Sequence, residues 1–162
     1  MTDVTLTKKD FDAEGNYIGS IDFMKKCEGS VNIASGLGTV RFARLWVTGS
    51  IVANRGTGIS AGWGISAGWG ISAGTGISAG EGISAGGTLK VAYRVFAGVA
   101  TWLKEPTPSQ MEIRCAKFEG GVIAYGNLVL TGDAEKACAH TQTGRFCSEC
   151  GESLWNEARK HD

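Results

Sequence analysis

Four residues near the C-terminal end of the chain are of the types that hold a soft divalent metal. Cys138, His140, Cys147 and Cys150 lie in the stretch CAHTQTGRFCSECG, a C-x-H-x6-C-x-x-C arrangement. Three thiolates and one imidazole are the nitrogen and sulfur donors that Zn²⁺ takes in a closed tetrahedron, and a closed set leaves no position for a substrate. The chemistry implied is therefore structural. His161 can replace His140 as the fourth ligand, and Gly151 allows a turn whose backbone N–H groups point at the Cys150 thiolate. Two other readings stay open: reduced thiols on a solvated tail, and a redox C-x-x-C, which wants a βαβ context that this chain does not offer.

No second constellation suggests catalysis. A Ser–His–Asp set, paired carboxylates, an HExxH motif and a phosphate-binding loop ahead of a helix are all missing, and the only histidines are His140 and His161. The sequence thus predicts a protein that is not an enzyme and has no catalytic residues. At 162 residues it fits one domain with a small appendage. Sixteen Lys and Arg balance sixteen Asp and Glu, which speaks against a nucleic-acid binder, although Lys8, Lys9, Lys25 and Lys26 form local basic spots. No apolar run is long enough to span a membrane, and the opening residues lack the apolar core of a signal peptide. An odd count of five cysteines without such a signal predicts a reducing, cytoplasmic setting, with Cys27 and Cys115 as core or surface thiols.

What would position any such residues is a repeat. From Gly58 to Gly87 the chain reads GISAGW, GISAGW, GISAGT, GISAGE, GISAGG. Ile recurs at 59, 65, 71, 77 and 83, with Ala two places later and Ser between. Two glycines per unit disfavour a helix, at about 1 kcal/mol each relative to Ala, and a period of six fits 3.6 poorly. In an extended triplet Ile and Ala share one face and Ser takes the other. Glycines with positive φ at the corners would let such triplets stack into a β-solenoid. Only the sixth position varies: Trp63, Trp69, Thr75, Glu81, Gly87. Trp63, Trp69 and Glu81 are therefore the candidate partner-binding residues. Two tryptophans at equivalent places in adjacent units would form a hot spot if exposed, or else pack under the covers of the array. Glu81 and Arg55 also read as ordinary solvated charges.

The register extends beyond the perfect units. Leu89 and Val95 continue the Ile column, Val91 and Ala97 the Ala column, and Leu45 and Val47 stand six before Ile51 and Ala53, with a two-residue slip at Asn54–Arg55. The flanks RFARLWV and TLKVAYRVFAG are expected to be the covers that stop the array from pairing through its ends. Past the break at Lys104–Pro108, the segments 111–115 and 121–130 read as further strands, and Asp12–Gly15 reads as the turn of a hairpin. The expected fold class is all-β: a β-solenoid-like hexapeptide-repeat body with a small C-terminal zinc-binding module. The expected divisions are 1–36, an N-terminal β-rich cap; 37–133, the repeat body; and 134–162, the Cys/His knuckle tail.

Several families share parts of this pattern. FCSECGESL resembles the knuckle of zinc-ribbon modules. The aliphatic residue every sixth place resembles the hexapeptide β-helices of acyltransferases, although those place a small residue where this chain has Trp, Thr or Glu. LWVTGSIVANRGTGISAG resembles bactofilin-type cytoskeletal solenoids. The array, followed by VAYRVFAGVATWLKEPTPSQMEIRC, resembles bacteriophage and prophage proteins with GIxAGxGIxAG repeats. That last resemblance implies a non-enzymatic accessory protein that binds and inhibits a bacterial host factor, such as a CRISPR or other defence complex. The bactofilin-like resemblance implies the alternative, a self-assembling structural solenoid, since open solenoid ends can stack on further copies.

Overall fold

A computed structural model of the protein describes residues 3–131. The expected zinc-knuckle tail, including Cys138, His140, Cys147 and Cys150, lies outside the described residues. The body is all-β and solenoid-like, and among the described residues there is no α-helix. Its named strands pair in parallel and form three faces, each three to five residues wide along most coils. The first coil is β1 (Val4–Leu6) with the loops that follow it. The second is β2 (Val31–Ile33), β3 (Gly38–Phe42) and β4 (Leu45–Val47). The third is β5 (Ile51–Ala53), β6 (Thr57–Ala61) and β7 (Ile65–Ala67). The fourth is β8 (Ile71–Ala73), β9 (Ile77–Ala79) and β10 (Ile83–Ala85). Then β11 (Thr88–Ala97) turns one corner without a break and β12 (Glu112–Cys115) closes that coil. Finally β13 (Lys117–Tyr125) and β14 (Asn127–Leu130) lie on top.

The register shows that three hexapeptides make one coil. Ile59 pairs with Ile77, Ile65 with Ile83 and Ile71 with Leu89, each eighteen residues on. The first face therefore carries the inward column Val31, Ile51, Ile71, Leu89; the second Val40, Ile59, Ile77, Val95; the third Leu45, Ile65, Ile83, Ile113. All twelve side chains are essentially inaccessible to solvent. Burying each of them is worth about 1.5–3 kcal/mol, which is what holds strands of only three residues together. The Ala positions form three shallower columns beside them, and the array residues Ser60, Ser66, Ser72, Ser78 and Ser84 face outward, half-buried. The expected continuation of both columns through residues 45–97 is what the register shows.

Two expectations need correction. First, none of the glycines of the array has a positive φ; such glycines occur at Gly36, Gly38, Gly56, Gly98 and elsewhere outside it. The array glycines are required by close approach instead. A Cβ on Gly80 would strike the Gly62 carbonyl, one on Gly86 the Gly68 carbonyl, and one on Gly74 the Asn54 carbonyl. Neighbouring coils stack corner on corner, so the backbone itself fills the space. Second, RFARLWV and TLKVAYRVFAG are not covers. They are inner coils, paired on both sides: β4 with β7 and bridged through Val47 to Cys27, β11 with β8 and β9 below and β13 above.

The slip at Asn54–Arg55 is an insertion at one corner. It lengthens the coil from eighteen to twenty residues between Ile51 and Ile71. The excess chain is tied down by Thr57, whose hydroxyl donates to the Ala34 carbonyl (2.7 Å) and accepts from the Leu37 N–H, and by the Asn54 side chain, which bonds Asn32 and the Ile33 carbonyl. Asp12–Gly15 is a turn, with the Asp12 carboxylate accepting from the Glu14 and Asn16 N–H groups, yet it joins a single antiparallel bridge, Phe11 to Tyr17, rather than a hairpin of two strands.

Candidate functional site

Stacking by threes decides where the variable sixth residues go. Trp63 stands at the corner between the second and third faces, where its N–H donates to the Ala43 carbonyl (2.8 Å) and its own carbonyl accepts from Glu81 (3.4 Å). Trp69 stands at the next corner, where its N–H donates to Gly49 and its carbonyl accepts from Gly87. Thr75 occupies the remaining corner, between Thr57 and Tyr93. Trp63 is thus stacked on Glu81, one coil away, and not on Trp69. The two tryptophans sit at opposite ends of β7 and do not form the paired hot spot that adjacent units suggested. Both are exposed, Trp63 at 48% and Trp69 at 67%.

The neighbour that Trp63 does have was not evident in the sequence. Where the eighteen-residue rhythm would return to Ile113 after Ile83, it takes thirty residues instead. The extra chain, 98–111, swings out over the same corner and brings Trp102 against Trp63, with ring centroids 6.1 Å apart and tilted by 45°. Trp102 is itself 57% exposed, so both rings offer a face to solvent. Its only advance signal was an aromatic residue in an otherwise Lys-, Glu- and Pro-rich break.

Below this pair the third face forms a shallow groove of about 360 Å³. Its floor is the outward serines Ser66 and Ser84, and its walls carry Arg44, Glu81, Glu112 and Arg114. Arg44 lies over the Trp46 ring, 4.8 Å from its centroid. Arg114 is held by Glu112, which raises the guanidinium pKa through the hydrogen bond first and the charge second. Glu81 accepts a long hydrogen bond from the Gln110 amide (3.5 Å), so the same insertion that carries Trp102 also steadies Glu81. The site is a pair of aromatic faces beside a groove with both signs of charge. Such a surface suits contact with another macromolecule: aromatic anchors exclude water, and the surrounding polar groups set orientation.

Among the described residues no three His, Cys, Asp or Glu side chains come together as a metal-holding group. Cys115 is fully buried under the last coil, and burial pushes its thiol pKa up, which makes it a poor nucleophile. Cys27 is half-buried near the Glu28 carbonyl. No helix of the described residues is long and apolar enough to cross a membrane. No family model, no curated protein and no solved structure matches this chain.

Proposed function

We propose that the chain is a non-enzymatic protein-binding module, a phage or prophage accessory protein acting in the bacterial cytoplasm on a host protein such as a CRISPR or other defence complex. The observation that carries the binding half of this reading is the Trp63–Trp102 pair. Two large aromatic rings left half in water are costly beside a groove of serines and charged side chains, and a partner that covers them recovers that cost. The stiff stack beneath fixes the rings before contact, so little side-chain order is lost on association. The choice of a host defence partner is supported by the GIxAGx repeat resemblance.

The C-terminal cysteines belong to the same reading as a structural clip. Cys138, His140, Cys147 and Cys150 supply the three thiolates and one imidazole that suit tetrahedral Zn²⁺. The expected metal content is one zinc per chain by elemental analysis, lost in Cys147→Ser; a metal-free wild-type protein would count against the clip.

The binding reading is tested by affinity capture from host lysate with the wild-type chain and with Trp63→Ala and Trp102→Ala. One stoichiometric partner should be retained by the wild type and lost by either variant, and phage plating should rise when the wild-type chain is expressed in a defence-competent host. Capture that is indifferent to both tryptophans would reject this surface.

A further inference from the structure

The balanced total charge of the chain conceals a partition around the stack. The groove on the third face sets Arg44 and Arg114 against Glu81 and Glu112. The first and second faces each carry a groove as well, of about 520 and 230 Å³. Their charged lining residues are Arg55, Lys90 and Arg94, all exposed, and no carboxylate lines either groove among the described residues. Both grooves use the fourth coil as their floor, and they meet at a corner where Gly74 ends one and Thr75 begins the other. The floor is low because the outward positions of that coil hold only Ser, Gly and Thr here, whereas β11 above it carries Lys90, Tyr93, Arg94 and Phe96.

We infer that this bent trough binds single-stranded nucleic acid, with Arg55, Lys90 and Arg94 on its phosphates and Tyr93 against a base. Tyr93 stands at the corner itself, 66% exposed, and its backbone is fixed by an N–H bond to the Thr75 carbonyl (3.0 Å). Arg55 comes from the two-residue insertion of the third coil. A Cβ on Gly74 would lie 2.7 Å from the Arg55 Cα, so the insertion lays Arg55 directly against the floor. Lys90 lies beside Glu119 in register, but that carboxylate is held by Lys117 at 2.7 Å.

Width and chemistry select the occupant. The walls belong to the coils on either side of the floor, two strand spacings or about 10 Å apart. One extended strand fits between them. A duplex, whose major groove alone is about 12 Å wide, does not. The carboxylates of an acidic peptide would satisfy the three cations but leave Tyr93 unused. Every base offers it a flat face, and a positive groove with an aromatic platform is how single strands are held without regard to sequence. This inference stands apart from the protein-binding reading, whose Trp63–Trp102 pair lies at a different corner of the stack.

The test is fluorescence anisotropy, with the full-length chain titrated into a labelled oligothymidylate of about twelve nucleotides, within the span of single-strand sites. Binding should be measurable at about 50 mM salt and weaken about twentyfold at about 200 mM, the loss expected when three phosphates of a single strand shed their counterions. Arg55→Ala and Lys90→Ala should each lower the affinity and reduce that salt effect to about sevenfold. Tyr93→Ala should weaken binding about fivefold or more with the salt effect unchanged, and Tyr93→Phe should restore it. Lys25→Ala, in the lower loops, should bind as the wild type does. Thermal unfolding of each variant shows that it is folded. No binding at about 100 µM chain in the lower salt would overturn the inference. So would a duplex of the same length bound equally well, or binding indifferent to Tyr93. Displacement by poly-glutamate of equal charge would assign the cations to an acidic protein instead, and a loss in Lys25→Ala as large as in Arg55→Ala would reduce the binding to diffuse attraction.

Discussion

At the lower end of the stack, four aromatic side chains close the column; in the last described coil, Phe118, Ile123 and Leu128 lie over Leu89, Val95 and Ile113. Phe11, Tyr17, Phe23 and Phe42 meet at centroid distances of 5.1–5.8 Å in edge-on, tilted and stacked arrangements. Phe11, Phe23 and Phe42 are buried, and the edges of β3 and β4 are covered by backbone bonds such as Tyr17 N–H to Arg41 and Cys27 N–H to Trp46. Leu128 and Leu130, in the last described strand, are 39% and 46% exposed. A repeat can add coils indefinitely at nearly constant gain per coil, so what limits it is the non-repeating sequence at its ends. Here the irregular chain of residues 7–30 covers the edges of β3 and β4, whereas β1 below and β13 and β14 above are each paired on one side among the described residues.

The largest effect that would break this contrast is at Phe42. Phe42→Ala removes the ring shared by three aromatic contacts and should cost about 3–5 kcal/mol in urea unfolding. Leu128→Ala should cost less than about 1 kcal/mol, because its side chain is already partly in water. Equal losses at both positions would mean that the ends are not finished differently.

Within the stack a smaller contrast sharpens the account of the glycines. Gly80 and Gly62 occupy the same place in successive coils. A Cβ on Gly80 meets the Gly62 carbonyl well inside contact distance, whereas one on Gly62 finds its nearest neighbour, the Ala43 carbonyl, at 3.5 Å. Gly80→Ala should therefore cost about 1–3 kcal/mol or more as forced overpacking. Gly62→Ala should be neutral or stabilising by up to about 1 kcal/mol, through loss of freedom in the unfolded chain. Thermal midpoints of the two variants check both signs.

The smallest effect is electrostatic and sits on the surface of both ends. Hydrogen bonds from Asn16, first from its side chain and then from its backbone, hold the Asp12 carboxyl below its ordinary pKa, and Lys117 does the same for Glu119. Because both folded-state values are lowered, each contribution is complete above the unfolded carboxylate value of about 4 and is lost as pH falls through the lower folded value. Asp12→Asn should lower the thermal midpoint slightly at pH 7 and leave it unchanged at pH 2. Both groups are solvent-exposed, so the shift is small.

Much of the stack was legible because Ile at a fixed spacing with Ala two places on has few physical solutions, and the drift of the same pattern into Leu45, Leu89 and Val95 could be followed by eye. The number of units per coil was not legible. Five units with the same core triplet carry no mark that says which lies over which, and only the register of Ile59 with Ile77 separates Trp63 from Trp69. The candidate site was half legible for the same reason: Trp63 and Glu81 were visible as variable positions, but Trp102 reaches them through an insertion with no period. The aromatic plug was hidden too, since Phe11, Tyr17 and Phe23 follow no spacing and converge on a distant Phe42 only through irregular loops.

Amide hydrogen exchange followed residue by residue tests the central claim most directly, that isoleucines six apart in sequence become stacked columns eighteen apart in register. Residues 58–87 should contain the slowest-exchanging amides of the chain, with protection approaching that of global unfolding and with β14 exchanging earlier. An array that exchanges at the rate of an unstructured chain would contradict the stacked core and every surface built on it.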